Sequence, residues 1–103
     1  MKLTKDDNTP ALGALRVWWI PQVPMKPFYV PVRTQGDALL ILDTLGRYDA
    51  FQYENNIKPD YSNAGGLEIY EPDGEEGSHD WCEWYDDETG EPIDFFLADW
   101  VPA

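Results

Sequence analysis

The sequence predicts an α+β fold: a single small domain with one antiparallel sheet of about four strands and one helix packed on one face. Three observations carry that expectation. Two short β-branched and aromatic runs lie early in the chain, a segment with apolar residues at helical spacing follows, and two further alternating runs come after it. The 103 residues suffice for one compact core. Five Trp and six Tyr supply large buried areas per residue, which argues against disorder despite nine Pro and eight Gly.

Residues 1–12 are polar and read as a mobile N-terminal arm, ahead of a domain spanning 13–103. Leu15 to Ile20 is strand-forming, with Leu15, Val17 and Trp19 on one face and Arg16, Trp18 and Ile20 on the other. Both faces are largely apolar, which predicts a central strand. Pro21, Pro24 and Pro27 impose an irregular connection, and Phe28 to Val32 resumes as a second strand, antiparallel to the first. Pro31 lacks a donor N–H and places that strand at an edge or a bulge.

Thr34 to Asp37 has the form of a capping box, and Ala38, Ile41, Leu42 and Leu45 follow at helical spacing. This predicts an amphipathic helix of about three turns, weakened near Gly46. Tyr48 to Tyr53 fits either a helix continuation or an extended segment. Asn55 to Gly66 is rich in turn residues. Gly66 to Glu71 and Asp80 to Tyr85 form a hairpin across Pro72–Ser78, with Leu67 and Ile69 facing inward. Asp86 to Glu91 is a polar turn, and Phe95 to Trp100 is a short apolar end that docks on the body.

Charge is the most unusual property. The chain carries 20 acids against seven Lys and Arg, a net of −13. Residues 1–34 hold five cations and two acids, whereas Gly66 to Trp100 hold 13 acids and no Lys or Arg. Such a segment repels nucleic acid and anionic membranes and attracts cationic protein surfaces. A lone cysteine, Cys82, excludes an internal disulfide and suits a reducing cytosol. The sequence has no apolar run of bilayer-spanning length and no secretory signal pattern, so a cytosolic protein is expected.

Candidate chemistry is sparse. His79 and Cys82 stand three residues apart on a strand, which sends their side chains to opposite faces and leaves no catalytic pair; Cys82 is read as core. No metal site with a recognised ligand spacing is present, and no cofactor is expected. The better candidates are surfaces. The carboxylates Glu68, Glu71, Asp73, Glu75, Glu76, Glu83, Asp86, Asp87 and Glu88 form a partner-binding set in which a rigid sheet would carry repeated negative charge, in imitation of a nucleic-acid backbone. Aromatic neighbours Tyr70, Trp81, Trp84 and Tyr85 would anchor the contact. Asn55, Asn56, Lys58, Asp60, Tyr61 and Asn63 form a possible recognition loop.

The stretches Val17-Trp18-Trp19-Ile20-Pro21-Gln22-Val23-Pro24, Leu42-Asp43-Thr44-Leu45 and Ile57-Lys58-Pro59-Asp60-Tyr61-Ser62-Asn63-Ala64-Gly65-Gly66-Leu67 resemble a family of small bacteriophage proteins. The similarity continues at Asp80-Trp81-Cys82-Glu83-Trp84-Tyr85 and Glu88-Thr89-Gly90. Some members of that family are labelled superinfection immunity proteins. The resemblance implies a phage or prophage origin and a role against host machinery or competing phage.

Together these readings predict a non-enzymatic inhibitor or modulator whose partner is a host protein with a basic surface, including one built to hold nucleic acid. The first alternative is a small-ligand sponge with its pocket at the Asn55–Gly66 loop and Trp18 or Trp19. The second is a structural protein that oligomerises through its aromatic strands. On the leading reading, reversing the charge of Glu75 and Glu76 together weakens capture of a cationic partner at low salt. Unchanged affinity would contradict the acidic-surface version.

Overall fold

The computed structural model describes residues 10–57, 63–74 and 77–100. The elements run β1 (Leu15–Ile20), β2 (Phe28–Val32), α1 (Gln35–Glu54), β3 (Ala64–Pro72), β4 (His79–Glu83) and α2 (Ile93–Leu97). The strands form one antiparallel sheet in the order β2-β1-β3-β4. This is the α+β arrangement that the patterning predicts. β1 is central, and β2, which carries Pro31, is an edge strand.

Alternation along the strands decides which side chains meet the helix. Val17 lies opposite Val30 and Leu67, Leu15 opposite Val32 and Ile69, and Trp19 opposite Phe28 and Gly65. Directly opposed residues share a face of the sheet. The helix side thereby collects Val17, Trp19 and Leu67, which form the buried core with Ala38, Leu39 and Leu42 of α1 and Ile93 of α2. Removing apolar surface of this kind from water is the main force holding helix to sheet.

α1 starts where the capping signal places it: the Thr34 Oγ1 accepts a hydrogen bond from the Asp37 N–H at 3.0 Å. It then runs 20 residues to Glu54, well past Gly46. A glycine inside a helix costs only about 1 kcal/mol relative to alanine, and later contacts outweigh that. Asp49 is buried and accepts a hydrogen bond from Asn63 Nδ2 ahead of β3. The end is closed by Asn56 in the left-handed region (φ 61°), with the Ile57 N–H bonded to the Gln52 carbonyl and the Asn56 N–H to the Tyr53 carbonyl. That pair of bonds is a Schellman termination. Tyr48 to Tyr53 is therefore helical. The buried set also shifts by one position: Leu39 is buried, whereas Ile41 and Leu45 are half-buried against the core.

β3 begins at Ala64, two residues before the predicted start, because Gly65 and Gly66 are strand residues. Each lies beneath a tryptophan of β1. A Cβ on Gly65 would stand 2.5 Å from Trp19 Cε3 and 3.2 Å from Leu42 Cδ2; a Cβ on Gly66 would stand 2.5 Å from Trp18 Nε1. The chain end forms the short helix α2, and Phe96, Leu97 and Trp100 pack against the core as the apolar pattern predicts. Trp84 meets Phe96 edge-on at 6.1 Å. Of the predicted N-terminal arm, Pro10–Leu12 fall among the described residues. Directly after them the Gly13 N–H bonds to the Tyr70 carbonyl.

The glycines generate a differential prediction. Gly65→Ala forces a methyl group against a buried ring held by Leu42 and destabilises the fold by about 1–3 kcal/mol. Gly66→Ala costs less, because Trp18 lies on the face that carries no helix among the described residues and can shift. Denaturant unfolding of both variants checks the order; equal losses would contradict it.

Candidate functional site

Only one face of the sheet carries helices among the described residues. The other face presents Arg16, Trp18 and Ile20 from β1, Tyr29 and Pro31 from β2, Gly66, Glu68 and Tyr70 from β3, and His79, Trp81 and Glu83 from β4, as the register dictates. Arg16 organises its centre. Its guanidinium lies 3.6 Å from the Tyr29 ring centroid and 4.1 Å from that of Trp81. Its Nε donates to Glu68 Oε1 at 2.8 Å. One cation on β1 thus ties all four strands together through a part-buried ion pair and two cation–π contacts. Tyr70 meets Trp81 edge-on at 5.4 Å and stacks on His79 at 6.2 Å. The Trp18 ring lies close over Gly66. Tyr29 remains 44% exposed and Tyr85, just beyond β4, 52% exposed, so the aromatic surface is open to a partner.

The predicted partner-binding carboxylates divide between several places. Glu68 and Glu83 are register partners on the open face. Like charges directly opposite one another repel, and Arg16 relieves this by pairing with Glu68. Glu83 accepts from the Tyr85 hydroxyl, and this bond, with the Glu83 charge, raises the Tyr85 pKa. Glu71 lies on the helix side of the sheet, opposite Asp80. Asp73 closes the β3–β4 turn by accepting from Ser78 Oγ at 2.9 Å. The Asp86 Oδ2 accepts from the Glu88 N–H, the Thr89 N–H and Thr89 Oγ1, which makes it the organiser of the following turn. Asp87 and Glu88 are exposed. Glu75 and Glu76 lie outside the described residues.

The predicted recognition loop divides as well. Asn55 caps α1, its Nδ2 donating to the Phe51 carbonyl, and Asn56 supplies the left-handed turn. Asn63 ties β3 to the buried Asp49. These three serve the fold. Lys58, Asp60 and Tyr61 lie outside the described residues. Of this region, Asn63 to Gly66 line, together with Trp18 and Trp19, one open cleft of about 530 Å³. The sequence reading placed Arg16 on a face with Trp18 and Ile20 but named neither Arg16 nor Tyr29 as a site residue. The available signal was the period-two placement of Arg16 beside Trp18 and Ile20, together with a single helix to cover two apolar faces.

A family model described as "Superinfection exclusion gene product 17" matches residues 14–101. A "Superinfection exclusion protein" of Salmonella phage P22 is 51% identical over 78 residues, which is 69% of this chain and 76% of that protein. No solved structure matches the chain.

Nucleophile chemistry finds little support in the geometry. His79 sits on the open face and Cys82 on the helix side, half-buried rather than in the core. Partial burial raises the Cys82 pKa, and the charges of Glu71, Asp80, Asp73 and Glu68 raise it further. The group therefore stays a thiol at neutral pH. Among the described residues no three His, Cys, Asp or Glu side chains are placed to hold a metal ion, and no helix is long and apolar enough to cross a membrane. Iodoacetamide should alkylate Cys82 of the folded chain more slowly than free cysteine near neutral pH. Faster modification, followed by mass spectrometry, would show an activated thiolate and contradict this account.

Proposed function

The chain belongs to the superinfection exclusion gene product 17 family, and from that premise we propose that it acts in superinfection exclusion by binding a protein in the host cytosol rather than by catalysing a reaction. The observation that carries this reading is the uncovered sheet face. It combines exposed aromatic rings, which anchor interfaces well, with carboxylates at its β4 end. Arg16 is engaged by Glu68 and held between two rings. The field around Glu83 and the following Asp87 and Glu88 is therefore negative.

The partner that fits is a host or phage protein with a basic patch beside an apolar one. Cations of the partner would meet Glu83, Asp87 and Glu88, while Tyr29, Trp81 and Tyr85 would meet its apolar part. Imitation of a nucleic-acid backbone requires a regular row of free anions along one surface. The placement of Glu68 in an ion pair, Glu71 on the helix side and Asp73 and Asp86 within turns favours a compact basic patch over an extended nucleic-acid groove.

Glu83 and Asp87 are exposed, so reversing both charges should leave the melting temperature nearly unchanged. In cells expressing the Glu83→Lys, Asp87→Lys variant, a superinfecting phage that the unaltered chain excludes should plate at least about tenfold better. Full exclusion by a normally accumulating variant would contradict the proposed surface.

A further inference from the structure

The sheet has a gap in one edge. β4 pairs with β3 only from Glu68 to Pro72, and the last contact before the gap is the Trp84 N–H on the Leu67 carbonyl. Ala64, Gly65 and Gly66 pair with β1 on one side and, among the described residues, have no strand on the other. The Tyr70 N–H and carbonyl point toward the chain leading into β1, as their bonds with Ala14 and Gly13 show. Backbone groups alternate along an antiparallel strand, so those of Leu67 and Gly65 point the opposite way. The Leu67 carbonyl meets Trp84. Among the described residues no backbone group meets the Gly65 N–H or carbonyl on that side.

The space beside this open edge is the cleft of about 530 Å³. One residue of an added strand needs about 160 Å³, from a rise of roughly 3.3 Å, a strand spacing near 4.8 Å and a layer thickness of about 10 Å. The cleft therefore has room for about three residues, and the unpaired stretch of β3 is Ala64 to Gly66. Its lining is apolar at Trp18, Ile93 and Leu97 and acidic at Glu83 and Asp94, with no Lys or Arg among the described residues.

We infer that this cleft binds an extended, basic peptide segment of a protein partner, which adds to β3 as a further strand opposite Gly65. The inference deepens the protein-binding reading above and rests on it for the kind of partner. Charge selects the occupant: a second copy of a chain at net −13 is repelled, and a cationic segment is attracted. Register sets its pattern. A residue opposite Gly65 shares the helix side, where Ile93 and Leu97 favour an apolar side chain. Its two neighbours emerge on the open face near Trp18 and Glu83, where a cation fits. The main chain supplies affinity and the alternating side chains supply specificity, as in other strand additions.

The test is amide hydrogen exchange on the full chain, read by NMR, with the capped peptide Thr-Lys-Val-Lys-Thr as probe and Thr-Glu-Val-Glu-Thr as control. The Gly65 amide should exchange rapidly in the free chain and slow at least about tenfold when the lysine peptide saturates it. Asp94→Lys should weaken that peptide about tenfold, and the glutamate peptide should not bind. A Gly65 amide already protected in the free chain would overturn the inference. So would lysine-peptide binding that leaves Gly65 unchanged, or no binding up to about 10 mM. Peptide binding at Gly65 by a chain that excludes no phage would remove the functional reading and keep this site. Exclusion without peptide binding would remove this site alone.

Discussion

Trp18 and Trp19, side by side on the central strand, constrain the whole sheet. Consecutive strand residues point to opposite faces, so the two indoles lie on opposite sides, and each occupies the space that a Cβ would need on β3. Only the Gly65–Gly66 pair admits both. A slip of one residue between β1 and β3 would place Leu67 or Ala64 under a ring and would carry every apolar side chain of β3 to the wrong face. The glycines thus fix the register, and the register fixes where Arg16, Glu68, Tyr70 and Trp81 meet.

A single helix layer on a four-stranded sheet leaves a second face to manage. Among the described residues that face carries aromatic rings ordered around one guanidinium and no second apolar layer. Fixed rings lose little conformational entropy on binding, which suits a contact surface. Among the described residues the edge of β3 at Ala64 to Gly66, beyond the end of β4, has no strand partner on the side away from β1. The scaffold thereby offers a face and an adjacent edge, with carboxylates close to both.

Much of the fold was legible because alternation and helical spacing are local properties. The four strands, the Thr34 cap, the inward Leu67 and Ile69 and the docking of Phe96 and Leu97 all follow from neighbours in sequence. The misses are long-range. Gly46 reads as a weak point because the tie between Asp49 and Asn63 joins positions far apart in the chain. Ala64 and Gly65 read as turn residues because nothing local shows that Trp19 lies over Gly65. The site was less legible for the same reason. Counting acids found the negative field but could not reveal that Glu68 is paired with Arg16 or that Asp86 holds its own turn. Family membership was readable from residue stretches in β1, α1 and β3, the elements that the tryptophan–glycine crossing and the Asp49 tie hold together.

On the proposed reading the open sheet face, not the outer surface of α1, meets the partner. Oxidative footprinting of the chain, alone and in the complex recovered from cells in which exclusion operates, tests this most directly. Exposed aromatic residues occur on both surfaces, with Tyr29 and Tyr85 on the sheet side and Tyr48 and Phe51 on the helix, so each serves as the other's control. Tyr29, Trp81 and Tyr85 should lose reactivity in the complex while Tyr48 and Phe51 keep theirs. Protection of the helix residues with the sheet face still fully reactive would contradict it.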